Sequence, residues 1–160
     1  MKIRFLLLPT LLSLLLAGCG QKDTATAAAK PAAAGPRVIE ITANDTMKYS
    51  VTTIEAKAGE QLKVVLTNAG QLPKEAMGHN WVLLKAGSDS LAFSAAASTA
   101  RETEYIPAAL KDQIIANIGL LGPRKSGEVV FTVPAAGEYP FLCTFPAHFA
   151  VGMKGTLVVK

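Results

Sequence analysis

Thiol and imidazole groups are scarce in this chain. Two cysteines and two histidines are the whole supply in 160 residues, and each shortage excludes a class of chemistry. Two cysteines close at most one bridge, so a disulfide scaffold is excluded. No C-x-x-C or C-x-x-C-H occurs, which removes zinc-finger, iron–sulfur and c-haem readings. Two histidines cannot furnish a site that needs three imidazoles. Cationic clusters are missing too. The 16 Lys and Arg exceed the 12 Asp and Glu by only four, with no run longer than Arg124-Lys125, whereas nucleic-acid binding wants a dense basic face. What is plentiful is apolar side chain, 50% of residues. That is enough for a core and excludes wholesale disorder or a collagen-like chain. The length suits one modest domain plus tails.

The first residues do not belong to that domain. Lys2 and Arg4 precede an apolar run, Phe5–Leu16, that contains eight leucines. It is short of the roughly 20 residues that span a bilayer and has the length of a signal-peptide core. It ends in Leu16-Ala17-Gly18-Cys19, without an A-x-A site. This order resembles the lipobox of bacterial lipoproteins. The resemblance implies cleavage after Gly18, lipidation of Cys19, and anchoring on a membrane surface by acyl chains. Residues 1–18 are then a lipoprotein signal peptide, 19–36 the lipidated cysteine and a flexible Ala/Pro-rich tether, and 37–160 the folded domain. Loss of Lys2 and Arg4 leaves 14 cations against 12 carboxylates, so the mature protein is nearly neutral. Gly20, where an Asp would signal inner-membrane retention, implies the outer membrane in a Gram-negative source. In either case the domain is exported and faces the periplasm or the outer cell surface. Residues 20–36 hold no large apolar side chain. As a flexible tether they reach about 25 Å, or about 60 Å fully extended.

From residue 37 the pattern is β-rich. Val38, Ile39 and Ile41 open a strand. Met47, Tyr49 and Val51 alternate with Lys48 and Ser50; Leu62, Val64 and Leu66 alternate with Lys63 and, less cleanly, Val65. Further strands are expected at Trp81–Leu84, Val129–Val133, Tyr139–Leu142 and Thr156–Val159. Turns at Asn44-Asp45, Ala58-Gly59 and Asn68-Ala69-Gly70 space them at around ten residues, the rhythm of a sandwich or barrel. The stretch from about 90 to 118 differs. It is rich in Ala and Ser, and Ala108–Ile118, between Pro107 and Gly119, is expected to form one helix or a few helical turns.

Cys143 is the informative cysteine. In an exported protein thiols are normally paired, yet its only possible partner is Cys19. Three readings of a leftover cysteine stay open: an intermolecular bridge, an inert buried thiol or a metal ligand. Its surroundings favour the last. Cys143-Thr-Phe-Pro-Ala-His148-Phe-Ala-Val-Gly-Met153 places a thiolate, an imidazole and a thioether within eleven residues. The other histidine, His79, precedes a strand in Met77-Gly78-His79-Asn80-Trp81. Two imidazoles, one thiolate and a weak thioether are the blue-copper donor set. Taken singly, a Met is usually core filler and a His an ordinary satisfied side chain; the ordered set is what separates them from that background.

Leu72-Pro-Lys-Glu-Ala-Met-Gly-His-Asn-Trp-Val82, Cys143-Thr-Phe-Pro146, and the stretch from Glu104-Tyr-Ile-Pro107 to Leu121-Gly-Pro123 resemble the cupredoxins, in particular their azurins and auracyanins. The resemblance covers about residues 37–160. It implies an all-β fold, a cupredoxin Greek-key β-sandwich or barrel with a small helical insertion over about 90–118. It implies one type 1 copper with His79, Cys143 and His148 as strong ligands, Met153 as weak axial ligand and the Gly78 carbonyl on the opposite side. Asn80 is expected to hydrogen-bond across to the Cys143 loop. The spacing Cys-x4-His-x4-Met has one residue more after the histidine than azurins have, Ala147 stands where they have Gly, and their N-terminal disulfide is absent.

With both histidines in one site, no second copper centre can form, and no catalytic triad is credible. The expected function is single-electron transfer by Cu(II)/Cu(I) cycling, not enzymatic catalysis. His148 is expected at the surface with an exposed ring edge, framed by a docking patch of Leu72, Ala76, Met77, Phe149, Ala150 and Val151. The expected partners are redox proteins such as c-type cytochromes, an oxidase or a reductase, approached by a monomer tethered to its membrane. A copper-buffering or copper-delivery module using the same ligands is the rival reading. A purely structural or adhesive lipoprotein is a third.

Overall fold

The computed structural model describes residues 35–160. The signal peptide, Cys19 and nearly all of the tether expected from the sequence lie outside the described residues. Eight strands form two sheets. Strands β1 (Arg37–Ala43), β3 (Gln61–Asn68) and β6 (Ser126–Thr132) make the first, in the order β1-β3-β6. Strands β2 (Thr53–Ala56), β8 (Lys154–Val159), β7 (Gly137–Leu142), β4 (His79–Leu84) and β5 (Ile114–Leu121) make the second, in that spatial order. β1 runs parallel to β3 and β2 parallel to β8; the other ladders are antiparallel.

Alternation decides which residues enter the core. Leu62, Val64 and Leu66 of β3, Trp81 and Leu83 of β4, and Tyr139 and Phe141 of β7 point between the sheets, where nearly all are fully buried. Trp81 lies 5.5 Å from Phe141 between ring centroids. β4 is buried on its other face as well. There Val82 and Leu84 join Leu142, Phe93 and Phe149 in a second apolar cluster. The cover is helix α2 (Ser90–Ser98), capped by Asp89, whose Oδ1 accepts from the amides of Leu91 and Ala92 at 2.9 and 3.0 Å. A strand with a core on each face is held on each face, and this one carries His79.

Three expectations are corrected. Of the helix or few helical turns expected over Ala108–Ile118, only 3-10 turns at Ala108–Gln113 form; from Ile114 the chain is strand β5. The β-branched Ile114, Ile115 and Ile118 favour a strand, and β4 offers an edge to pair with. The helical part of the insertion is therefore α2 and short 3-10 turns. Second, Met47–Val51 is not a strand. Apart from one bridge between Ala43 and Tyr49 it is a loop, with Met47 in the left-handed region at φ 56°. The strand forms later, at Thr53–Ala56. Third, Phe149 is not on an exposed patch. It is 9% exposed because it completes the cluster beneath α2.

Candidate metal centre

The site lies where β4 begins and β7 ends. The single-turn helix α1 (Lys74–Met77) delivers the chain to β4 through Gly78. A Cβ at Gly78 would meet the Lys74 carbonyl at 2.7 Å and Leu120 at 2.9 Å, so only glycine allows this close approach. His79 follows on the inward-facing side shared with Trp81 and Leu83. The β4–β5 register shifts by one residue between His79 and Trp81, a bulge-like irregularity of the kind that re-aims side chains beside functional sites.

Cys143 continues the inward alternation of Tyr139 and Phe141 one residue past the end of β7. The chain then turns back to β8 through a loop closed on itself. The His148 amide donates to Phe145 O at 3.1 Å, Val151 to Ala147 O at 3.2 Å, Gly152 to Phe149 O at 3.0 Å and Met153 to His148 O at 2.9 Å. The Cys143 amide donates to Met153 O at 3.0 Å, pinning the two ends of the loop together. Two residues carry the tight curvature, Ala147 at φ 69° and Gly152 at φ 94°.

These segments bring His79, Cys143 and His148 together. One nitrogen or sulfur from each lies within 4.8 Å of the others, and all three residues are buried. Cys143 Sγ is 3.5 Å from His148 Nδ1. Met153 is fully buried in the same core, and Cys143 is a free thiol. Neither imidazole nitrogen of His79 makes a well-formed hydrogen bond, although the Asn44 backbone is close enough to act on the ring. A buried polar atom left unsatisfied is costly, and a neutral imidazole has one lone pair to offer, so one His79 nitrogen is free to take a metal while the other keeps its proton. The donor set suits a soft-to-intermediate transition metal.

Burial keeps the protons where a metal can displace them. It lowers the pKa of His79, opposed by the Asn44 backbone and the Asp45 carboxylate. It lowers His148 to about 4, helped by repulsion from His79. Both imidazoles are therefore neutral at pH 7. Burial raises Cys143 to about 11, opposed by the amides of Asn80 and Phe145, so the metal-free site holds a thiol.

Asn80 ties the two ligand segments. Its Oδ1 accepts from the Thr144 amide at 2.8 Å and its amide group donates to Thr144 Oγ1 at 2.6 Å, all within the buried interior. His148 departs from expectation. It is 2% exposed, because the rings of Phe145 and His79 stand 4.7 and 4.9 Å away and Phe149 follows it into the second core. Of the expected docking residues, Leu72 and Val151 are 44% and 45% exposed; Ala76 and Ala150 are exposed and Met77 half-buried. Half-buried Pro146 and exposed Ala147 directly precede His148 and were missed; their position in the ligand loop was the available signal. Lys48, Tyr49 and Phe145 were also missed as residues touching these segments.

Comparison with known proteins agrees with this geometry. The sequence profile described as "Copper binding proteins, plastocyanin/azurin family" matches residues 37–160. The chain is 35% identical to the azurin of Pseudomonas aeruginosa over 126 residues, 76% of this chain and 84% of that one. It is 32% identical to auracyanin-A of Chloroflexus aurantiacus over 155 residues, 94% and 92% of the two chains. Against auracyanin-B of the same organism it is 33% identical over 118 residues; that match takes in 73% of this chain but about half, 49%, of the relative. Among solved structures, the dithionite-reduced auracyanin of Roseiflexus castenholzii superposes with a TM-score of 0.69 at 34% identity, covering 77% of this chain and 96% of the other. The two-sheet sandwich is thus the cupredoxin fold, and the cofactor that fits its buried His-Cys-His cluster is copper. By profile, identity and fold the chain belongs to the plastocyanin/azurin family of copper-binding proteins.

Proposed function

We propose that this protein is a blue copper electron carrier, not an enzyme. His79, Cys143 and His148 would be the strong ligands, Met153 the weak one, and the Gly78 carbonyl an outer neighbour. Copper bound there supplies a one-electron Cu(II)/Cu(I) couple. The observation that carries this reading is the buried, preassembled cluster of one thiol and two neutral imidazoles, with Met153 buried in the same core as Cys143. Asn80 would hold the ligand segments in register through Thr144, so the donors need move little between oxidation states. A closed set of ligands leaves no open position for a substrate, as a carrier requires and a copper enzyme does not. The relative auracyanin A is a "blue" copper protein, and an auracyanin has been obtained in dithionite-reduced form.

Electrons would enter and leave through the thin cover over His148. The exposed apolar residues of the segments that carry His79 and His148, Leu72, Ala76, Ala147, Ala150 and Val151, with half-buried Met77, would suit brief contact with a redox protein such as a c-type cytochrome, an oxidase or a reductase. Cys19 would carry the lipid that holds the monomer at its membrane, facing the periplasm or outer surface. The tether would let the domain swing between donor and acceptor.

The test is a visible spectrum of the 37–160 domain with Cu(II), beside Cys143→Ser. An intense blue band that reductant bleaches, and that the variant lacks, is the expected result. A colourless protein, or colour indifferent to Cys143, overturns the proposal. Rapid passage of copper to a chelator would favour a delivery role instead.

A further inference from the structure

The loop Asn44–Tyr49 contributes no copper ligand, yet it reaches three separate segments around the site. Its base is closed on β1. The Ser50 amide donates to Thr42 O at 2.9 Å, the Thr42 amide returns to Ser50 Oγ at 2.9 Å, and Ala43 bridges Tyr49. Its tip is a rigid turn. The Met47 amide donates to Asn44 O at 2.9 Å and the Thr46 amide to Asn44 Oδ1 at 3.0 Å. Met47 sits at φ 56°, a conformation that a side chain other than glycine holds only where its surroundings over-determine it.

From this base three bonds run outward. Asp45 Oδ2 accepts from the Gln71 amide at 2.9 Å, next to Leu72. The buried Tyr49 hydroxyl donates to the Asn80 carbonyl, one residue past His79. Lys48 Nζ donates to the Val151 carbonyl, 103 residues away and midway between His148 and Met153. Gly152 makes room for it, since a Cβ there would come within 3.0 Å of the lysine nitrogen. The bonds that close the His148–Met153 turn run within the ligand loop. Lys48 adds one to a different part of the fold, and bonds from a charged donor are the stronger kind.

We propose that the loop Asn44–Tyr49 is a clasp on the metal centre: Lys48 positions the His148–Met153 turn and Tyr49 positions the His79–Asn80 segment, so that the ligand geometry is set from outside the ligand segments. Lys48 and Tyr49 are positioning residues. The longer turn, with four residues between His148 and Met153, has more freedom to stray, and its exposed Val151 is where the clasp closes. The proposal rests on the copper reading above only for its metal-bound readouts.

The test uses Lys48→Met, which keeps the stem and removes the charge, Lys48→Arg, and Tyr49→Phe, which keeps the buried ring. Hydrogen exchange is followed in the copper-free domain, and copper release to a chelator and the visible band in the loaded one. In Lys48→Met, the amides of Val151, Gly152 and Met153 are expected to exchange at least ten-fold faster while those of β3 are unchanged. Lys48→Arg restores protection. Lys48→Met and Tyr49→Phe each release copper several-fold faster with a shifted band. Unchanged exchange at the three amides, or equal acceleration throughout the core, overturns the clasp. Absence of a reducible blue centre would sink the electron-carrier reading but leave the exchange result, which needs no metal, standing.

Discussion

The two segments that build the centre are held in opposite ways. His79 belongs to a strand buried on both faces, between the sandwich core and the cluster under α2. Its position follows mainly from sheet register and packing, with the Tyr49 hydroxyl on the Asn80 carbonyl as one added tie. Cys143 and His148 sit on a loop that must bring two donors together within six residues and ends at Met153, the proposed weak ligand. That loop relies on its own turns, on Ala147 in the left-handed region, and on ties from Asn80 and Lys48. A site can therefore combine one ligand fixed by the fold with others fixed by a removable set of bonds. The two halves should respond differently to perturbation.

Acidity should give the largest difference, and it falls on the loop. Binding copper as a thiolate displaces the Cys143 proton, whose pKa is raised to about 11, while both imidazoles are already neutral. Copper affinity should then rise about ten-fold per pH unit across neutrality. It should steepen at acid pH as the imidazoles of His79 and His148 begin to charge. Titration in weakly buffered solution should show about one proton released per copper at pH 7; none released would mean the thiol is not a ligand. The copper-free fold has its own dependence. The histidine pKa values are lower folded than unfolded, so between about 6.5 and about 4 the unfolded chain binds more protons and stability falls as pH falls. Cys143 acts at the other end: stability declines as pH rises from its unfolded value toward about 11. Denaturant midpoints of the copper-free domain should peak between those limits.

Asn80→Ala cuts the link between the halves. It leaves the Thr144 amide and hydroxyl buried and unpaired, and each such loss costs about 1–3 kcal/mol. A total near 3 kcal/mol in chemical unfolding is expected, with copper lost faster. Thr144→Val removes only the hydroxyl partner and should cost less, because the backbone bond to Oδ1 remains. Equal costs for the two variants would mean that the amide bond carries no weight. Gly78→Ala attacks the strand half instead. The added methyl has no room between the Lys74 carbonyl and Leu120, and overpacking of this kind costs about 1–3 kcal/mol. Its effect should appear as displacement of His79 and a perturbed copper spectrum, with the Cys143 loop keeping its amide protection.

The halves also differed in how much of them could be read from residues alone. The donor set was legible because Cys, His and Met are rare here and each has distinctive chemistry. Strands β1 and β3 were legible through alternation, and β4, β6, β7 and β8 as short apolar-rich runs between turn signals. β5 was not, since Ile-Ile-Ala-Asn-Ile-Gly-Leu-Leu carries apolar residues at helical as well as strand spacings, and only pairing with β4 decides between them. The four-residue β2 was too short to register. The polar–apolar alternation of Met47–Val51 suggested a strand, but the turn that begins at Asn44 carries Met47 into the left-handed region. Phe149 and His148 were expected outside because the loop is a surface feature. They are inside because α2 and Phe145, neither adjacent to them in the local pattern, close over them. Lys48 on Val151 could not be read at all, for no periodic signal links residues 103 apart.

The smallest effect belongs to the strained turn. Ala147, at φ 69°, holds a backbone conformation that a Cβ disfavours by roughly 1 kcal/mol. Ala147→Gly removes that strain but gives the unfolded chain more freedom, which works against it. Because the native φ is positive, relief of strain should win, and the copper-free domain should gain about 0.5 kcal/mol in denaturant unfolding. The copper-bound spectrum should not change, since the residue is exposed and its neighbours' bonds, His148 to Phe145 and Val151 to Ala147, use backbone atoms alone. A stabilised domain with an altered spectrum would show that the strain is transmitted to His148. The loop would then be tuned by its own backbone as well as by the ties that hold it, and the division between a fold-fixed and a bond-fixed ligand would have to be redrawn around residue 147.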